Sequence, residues 1–241
     1  MQFLERRRHS PVWLRQSFSW NSQTMIATSY RPSQLIKLLL LVSGNIHPNP
    51  GPVRPVPHRI LQLNVNGILS SAKELSEYLK KNQISVAAIQ ESKLRKKSKT
   101  PVFQGYSVIR KDRPRDDGGG GLLTLVEESI EYEVLDTSQI EETPSQAHQW
   151  PFELLGVKVK LNNNPLNVFN YYVPPVSRDR NYRPSLTSLL SFSADDSIIA
   201  GDFNAHSSGW NSEIVVQDAD VEARSDSFLE EIEASDFFHF E

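Results

Sequence analysis

Cysteine is absent from the 241 residues. Disulfides and thiolate zinc sites are therefore excluded, and an intracellular setting is the natural reading. Long apolar runs are missing too. The longest, Leu35 to Val42, is broken by Lys37 and is far too short to cross a bilayer. No internal repeat is visible. Charge of either sign is close to balanced, with 26 Lys and Arg against 29 Asp and Glu for a net −3. A globally acidic chain is not an obvious nucleic-acid binder, so any such role needs a local patch. What is present suffices for a packed core: 38% of residues are hydrophobic. The length suits one domain of moderate size plus a tail.

The charge is unevenly spread. Residues 1–57 hold seven bases against one acid, Glu5, leaving a net −9 for the rest. Residues 1–34 show neither a helical nor a strand period. An Arg-rich, acid-poor start suits either a transit peptide or a basic tail without a fold, and the second is expected here. Residues 35–57 read LIKLLLLVSGNIHPNPGPVRPVP. Proline at that density blocks helix and sheet alike, so this is a linker. The texture changes at His58, and residues 58–241 read as the folded domain.

RILQLNVNG is an apolar strand pattern that ends in a turn signal. Ser71-Ala-Lys-Glu74 is a capping box, with Leu75, Tyr78 and Leu79 on one helical face behind it. Ile84 to Gln90 is a continuous apolar run, fit for a buried strand. YSVIR, LLTLV, YEVLD, ELLGVKVKL and LNVFNYYV follow as strand-like runs between turn residues. Gly118 to Gly121 has no Walker or Rossmann spacing and reads as a flexible turn into LLTLV. Leu186 to Phe192 looks helical, Ser197 to Ala200 is another buried strand, and Arg224 to Ser235 is an amphipathic helix with Phe228, Leu229 and Ile232 inward. These runs predict a layered α/β domain: two packed sheets with helices outside.

Polar residues stand where the apolar strands end, which is where ligands bind in open α/β sheets. They are Asn64 and Asn66 after ILQL, Glu91 after VAAIQ, Asn170, Tyr171 and Tyr172 after LNVF, and Asp202 with Asn204 after SIIAG. Glu91 suits a hard divalent cation. Asp202 can orient or deprotonate a water, and Asn204 can hold that water or a phosphate oxygen. Tyr172 offers a phenol to a phosphate oxygen. Tyr171 and Tyr172 alternate faces, so one of them belongs to the core. Singly, each residue is as easily a solvated carboxylate or a turn former. Together they are the parts that phosphodiester hydrolysis needs.

LNVNG, IQES, NYYVPP and GDFNAH occur in that order. Their order, spacing and strand context resemble the endonuclease/exonuclease/phosphatase superfamily, which includes DNase I-like nucleases and apurinic endonucleases. RKDRPRDDGGGG, the double proline Pro174-Pro175 and HSSGW further resemble the endonuclease domain of LINE-type non-LTR retrotransposons. The resemblance covers residues 58–241. It implies a four-layer, two-sheet sandwich flanked by helices, and Mg²⁺ as cofactor with Mn²⁺ as a substitute. It places Asn64 and Glu91 at the metal, Tyr172 at the scissile phosphate, and Asp202 with Asn204 at the attacking water. Asn66 stands where many relatives have Asp. His206 is read as structural or substrate-facing. DNA is the implied substrate, a reverse transcriptase the implied partner domain in a full element, and the nucleus the implied location. The family's closing Ser-Asp-His is not found. The domain is therefore expected to be incomplete at its C-terminus, with unpaired sheet edges and impaired activity. The alternatives are an inactive element-derived fragment, or a lipid or inositol phosphatase of the same superfamily.

Two further signals complete the reading. Residues 93–115 hold nine bases (Lys93, Arg95, Lys96, Lys97, Lys99, Arg110, Lys111, Arg113 and Arg115) against Asp112, a net +8 beside Glu91. Such runs are most often solvated loops. The resemblance turns this one toward a DNA backbone. SGNIHPNPGP resembles a viral 2A-like ribosome-skipping peptide, sharp at Asn49-Pro50-Gly51-Pro52. Upstream it departs from that pattern, with Asn45 for the usual Asp and His47 for an acid. The resemblance implies release between Gly51 and Pro52.

Overall fold

The structure is a computed structural model that describes residues 58–113, 119–140, 152–175, 185–192, 196–205 and 219–235, and the backbone of 24–28 and 238–240. Gly51, Pro52, Arg115, Gly118 and His206 lie outside the described residues.

Two sheets form the centre. The first has the order β10-β1-β9-β8-β7-β6, built from Thr24–Thr28 (β1), Tyr132–Val134 (β6), Glu153–Leu161 (β7), Asn164–Tyr172 (β8), Ser197–Asp202 (β9) and Phe238–Phe240 (β10). The second has the order β2-β3-β5-β4, from Ile60–Asn64 (β2), Val86–Gln90 (β3), Tyr106–Lys111 (β4) and Leu122–Glu127 (β5). Among the described strands two pairs are parallel, β2 with β3 and β8 with β9. The other pairs are antiparallel.

Alternation along the strands explains why the sheets stack. Val86, Ala88 and Val126 of the smaller sheet face Val157, Val159, Leu166, Val168, Ile198 and Ala200 of the larger one in a common core. The opposite face of the smaller sheet packs on helix α1 (Ile68–Asn82) through Ile68, Leu75 and Leu79. The outer face of the larger sheet is covered by Leu189 and Leu190 of α2 (Thr187–Phe192) and by Phe228 and Ile232 of α3 (Ala219–Glu233). The expected two-sheet sandwich with helices on both sides is present. No described helix is long and apolar enough to cross a membrane.

Three expectations change. The helix predicted to begin at the Ser71 box begins at Ile68, with Gly67 as its cap residue and no side-chain cap. Helix-start N–H groups need acceptors. Here the Glu91 carbonyl takes the Gly67 N–H at 2.8 Å and the Ser92 carbonyl takes the Ile68 N–H at 3.0 Å. Cross-strand backbone thus replaces the capping box. Secondly, Thr24–Thr28 forms a strand inside a segment that shows no period, pairing β9 on one side and β10 on the other. β1 thus lies between β9 and β10 in the larger sheet. Thirdly, the described glycines do not form a flexible turn. The carbonyls of Gly120 and Gly121 accept the N–H groups of Lys93 at 2.8 Å and Ser92 at 2.9 Å.

Candidate active site

The topology brings the C-terminal ends of both parallel pairs to one place. Asn64 ends β2 beside Gln90, the last residue of β3, and Glu91 follows at once. Tyr172 ends β8 directly opposite Asp202, the last residue of β9. The Asn64 carboxamide joins the sheets, its Nδ2 donating to Glu91 Oε1 at 3.0 Å and to Asp202 Oδ2 at 2.7 Å. The Tyr172 hydroxyl donates to the same Glu91 oxygen at 2.9 Å. The Asn66 N–H donates to Asn64 Oδ1 at 3.0 Å, closing an Asx turn that fixes the amide.

Backbone conformation concentrates here. Asn66, Glu91, Lys93 and Asn204 all have left-handed φ, between 44° and 52°. That region is common for Asn but costly for Glu and Lys. The turn aims the Glu91 and Lys93 side chains at one point, where Lys93 Nζ lies 3.4 Å from Glu91 Oε2 and donates to Asn66 Oδ1. The glycine carbonyls hold this turn from behind.

The two carboxyls respond differently. Burial alone would raise the Glu91 carboxyl, but hydrogen bonds from Asn64 and Tyr172 and the Lys93 cation outweigh it and hold it below the usual range. Burial raises Asp202, and the hydrogen bonds from Asn64 and the Asn204 N–H offset only part of that. Burial, and then the Glu91 carboxylate, push the Tyr172 phenol far up, so it is a proton donor and not a phenolate. Asn204 donates its N–H to Asp202 Oδ1 at 3.0 Å and its carboxamide to the Val173 carbonyl at 2.7 Å.

Asn64, Glu91, Tyr172, Asp202 and Asn204 are thus brought together. Asn170 is not part of the cluster. It is fully buried and donates to the carbonyls of Ile89 and Leu123, while Gln90 donates to its Oδ1. Tyr171 and Tyr172 are both buried, contrary to the expectation of one core member, Tyr171 beneath the helices on the outer face and Tyr172 against Leu122 and Leu155. The basic run divides. Arg95, Lys96, Lys97 and Lys99 are exposed, and Lys111 is half-buried. Arg110 is turned onto Asp112, Thr100 and the carbonyls of Arg95 and Ser98. Arg113 is turned onto Glu153. Lys93 belongs to the cluster itself. Glu153 was missed by sequence reasoning; its signal is a carboxylate that opens a strand whose first half, Leu154 to Val157, is apolar.

The family model for the endonuclease/exonuclease/phosphatase family matches residues 61–221, two thirds of the chain. This chain belongs to the endonuclease/exonuclease/phosphatase family. Among solved structures, the endonuclease domain of TRAS1, a telomere-specific non-LTR retrotransposon, superposes with a TM-score of 0.50 at 20% identity, over 74% of this chain and 70% of that one. The AP endonuclease LMAP from Leishmania major gives a TM-score of 0.52 at 15% identity, over 85% and 78%. At these identities the likeness is one of fold. Family membership makes phosphodiester hydrolysis the general chemistry to which this cluster must be fitted.

Proposed function

We propose that the chain nicks DNA by hydrolysing a phosphodiester, with Mg²⁺ or Mn²⁺ at Glu91. The observation that carries this reading is the Asn64 carboxamide, which joins Glu91 and Asp202 from different sheets while Tyr172 donates to the same Glu91 oxygen. The donor set fits a hard cation. The Glu91 carboxylate supplies oxygen and already draws the Lys93 ammonium, whereas the Asn64 carboxamide turns its Nδ2 to Glu91 and would bring its Oδ1 to an ion by turning over. No group of three or more His, Cys, Asp or Glu is found among the described residues. Mg²⁺ binds through one or two carboxylates and keeps several waters. Glu91 and Asn64 would hold the ion. When bound, it would neutralise charge that develops on the phosphate.

The protein's own groups supply the rest. A water oxygen bonds to phosphorus while the bond from phosphorus to one ester oxygen breaks, and that oxygen leaves with the bonding pair and takes a proton from solvent. Asp202, raised toward the range where a carboxylate accepts protons, orients the water and takes its proton. The protonated Tyr172 turns its O–H from Glu91 to a non-bridging oxygen. Asn204 fixes the Asp202 carboxylate through its N–H. Exposed Arg95, Lys96, Lys97 and Lys99 suit the flanking DNA backbone. Motif order, Arg110–Gly121 and Pro174-Pro175 support a non-LTR retrotransposon source. There the nick would prime reverse transcription in the nucleus, with a reverse transcriptase encoded in the same element.

The test is relaxation of supercoiled plasmid by the full chain. Nicking is expected with Mg²⁺, none in chelator, and a loss of about 10²–10⁴-fold in Asp202→Asn. Absence of nicking with both Mg²⁺ and Mn²⁺ would overturn the reading. Phosphate release from an inositol polyphosphate, without nicking, would move the assignment to another branch of the family.

A further inference from the structure

A second charged group lies against the cluster, and the proposed chemistry does not use it. Glu153, the first residue of β7, is only 7% exposed. Its Oε1 accepts the Arg113 Nε at 2.6 Å and lies 2.6 Å from Nη2, and its Oε2 accepts the Gly121 N–H at 2.6 Å. Gly120 has φ +64°, and a Cβ there would overlap both Glu153 and Arg113. The Arg113 guanidinium carbon sits 5.8 Å from the centre of the Tyr172 ring. The ring otherwise packs with Leu122 and Leu155, and Ile109 lies against that group.

A buried ion pair is weak evidence for stability, because desolvation offsets its attraction. This pair nonetheless places a cation on one face of the ring whose hydroxyl meets Glu91. The guanidinium is planar and forked, so Glu153 fixes its orientation as well as its charge. The glycines leave room for the fork, and Gly121 adds the hydrogen bond that holds Glu153. We propose that Arg113, locked by Glu153, is a positioning residue that holds the Tyr172 phenol in place for the phosphate. The inference rests on the phosphodiesterase reading for its consequence in rate, but not for its geometry.

A double-mutant cycle in the full chain tests it. Arg113→Met should lower kcat for plasmid nicking by up to about 10²-fold, the scale of a misplaced reacting group, with KM nearly unchanged. In a Tyr172→Phe background the same change should have no further effect on kcat. Glu153→Gln, which keeps one acceptor oxygen for Arg113 but loses the acceptor for the Gly121 N–H, should act in the same direction and less strongly. Equal losses in both backgrounds, or a rise in KM alone, would overturn the proposal. Ring placement is read separately by labelling the chain with 3-fluorotyrosine and assigning residue 172 by the signal lost in Tyr172→Phe. The wild type should give one sharp fluorine resonance, broadened or split in Arg113→Met. An unchanged resonance would overturn the proposal even if the wild type nicks no DNA, so the two failures remain distinct.

Discussion

At the scale of single residues, the cluster exchanges stability for chemistry. The signs follow from the directions of the shifts. Glu91, held below its ordinary value of 4.5, contributes stability above that value and loses it as pH falls further. Asp202, raised above its ordinary 3.8, contributes stability at low pH and loses it as pH rises through the raised value. At neutral pH the ionised Asp202 is therefore a burden on the fold without a cation. Asp202→Asn should melt at a higher temperature than the wild type in chelator at neutral pH. That advantage should shrink as pH falls toward 3.8, the ordinary value. Adding Mg²⁺ should raise the melting temperature of the wild type more than that of the variant. Thermal melts across pH decide this; a variant less stable than wild type by the same margin at every pH would refute it.

At the scale of elements, the site depends on the register between the sheets, and a buried polar relay sets that register. Gln62 of β2 donates to Gln90 of β3 at 2.6 Å, and Gln90 donates to Asn170 of β8 at 2.7 Å. Asn170 returns hydrogen bonds to the carbonyls of Ile89 and Leu123. Each buried group left without a partner costs about 1–3 kcal/mol. Asn170→Leu should thus destabilise the fold by about 1–3 kcal/mol, since it takes a donor from the Ile89 and Leu123 carbonyls and leaves the Gln90 amide with the Ala88 carbonyl alone. Adding Gln90→Leu should cost less than its effect alone, with a coupling on the order of 0.5–3 kcal/mol by urea denaturation. Strict additivity would show that the relay does not act as a unit. The same elements show what a sequence can reveal. The strand ends at Asn64, Glu91, Tyr172 and Asp202 were legible, because each closes a local apolar run with a polar residue. Whatever depended on a distant partner was not. The start of α1 is set by carbonyls of the Glu91 turn. The pairing of Thr24–Thr28 with β9 leaves no local period. The Arg113–Glu153 pair joins residues 40 positions apart. Asn170 looked like a site residue because strand-end position alone does not tell an inter-sheet bridge from a ligand.

At the scale of the whole molecule, the question is how an acidic domain meets a polyanion. The sequence gives a net +8 over residues 93–115, but the fold divides that charge. Arg110 and Arg113 are neutralised by Asp112 and Glu153, and Lys93 faces Glu91. Among the described residues, the fully exposed contribution narrows to Arg95, Lys96, Lys97 and Lys99, a short turn between the Glu91 loop and β4. Counterion release makes the footprint measurable, since log affinity for duplex DNA falls with log salt by about 0.9 for each phosphate neutralised. Replacing Lys96, Lys97 and Lys99 together by Gln should flatten that slope by up to about 2.7, which is three phosphates at that value. Arg110→Gln should leave the slope nearly unchanged and lower thermal stability instead, because its guanidinium is held by Asp112, Thr100 and two carbonyls. The comparison separates charge that is counted along the chain from charge that the surface presents. A slope equal to wild type in the triple variant would show the turn to be solvated in the complex. A slope that flattened equally in Arg110→Gln would show that Arg110 leaves its internal partners to reach the DNA.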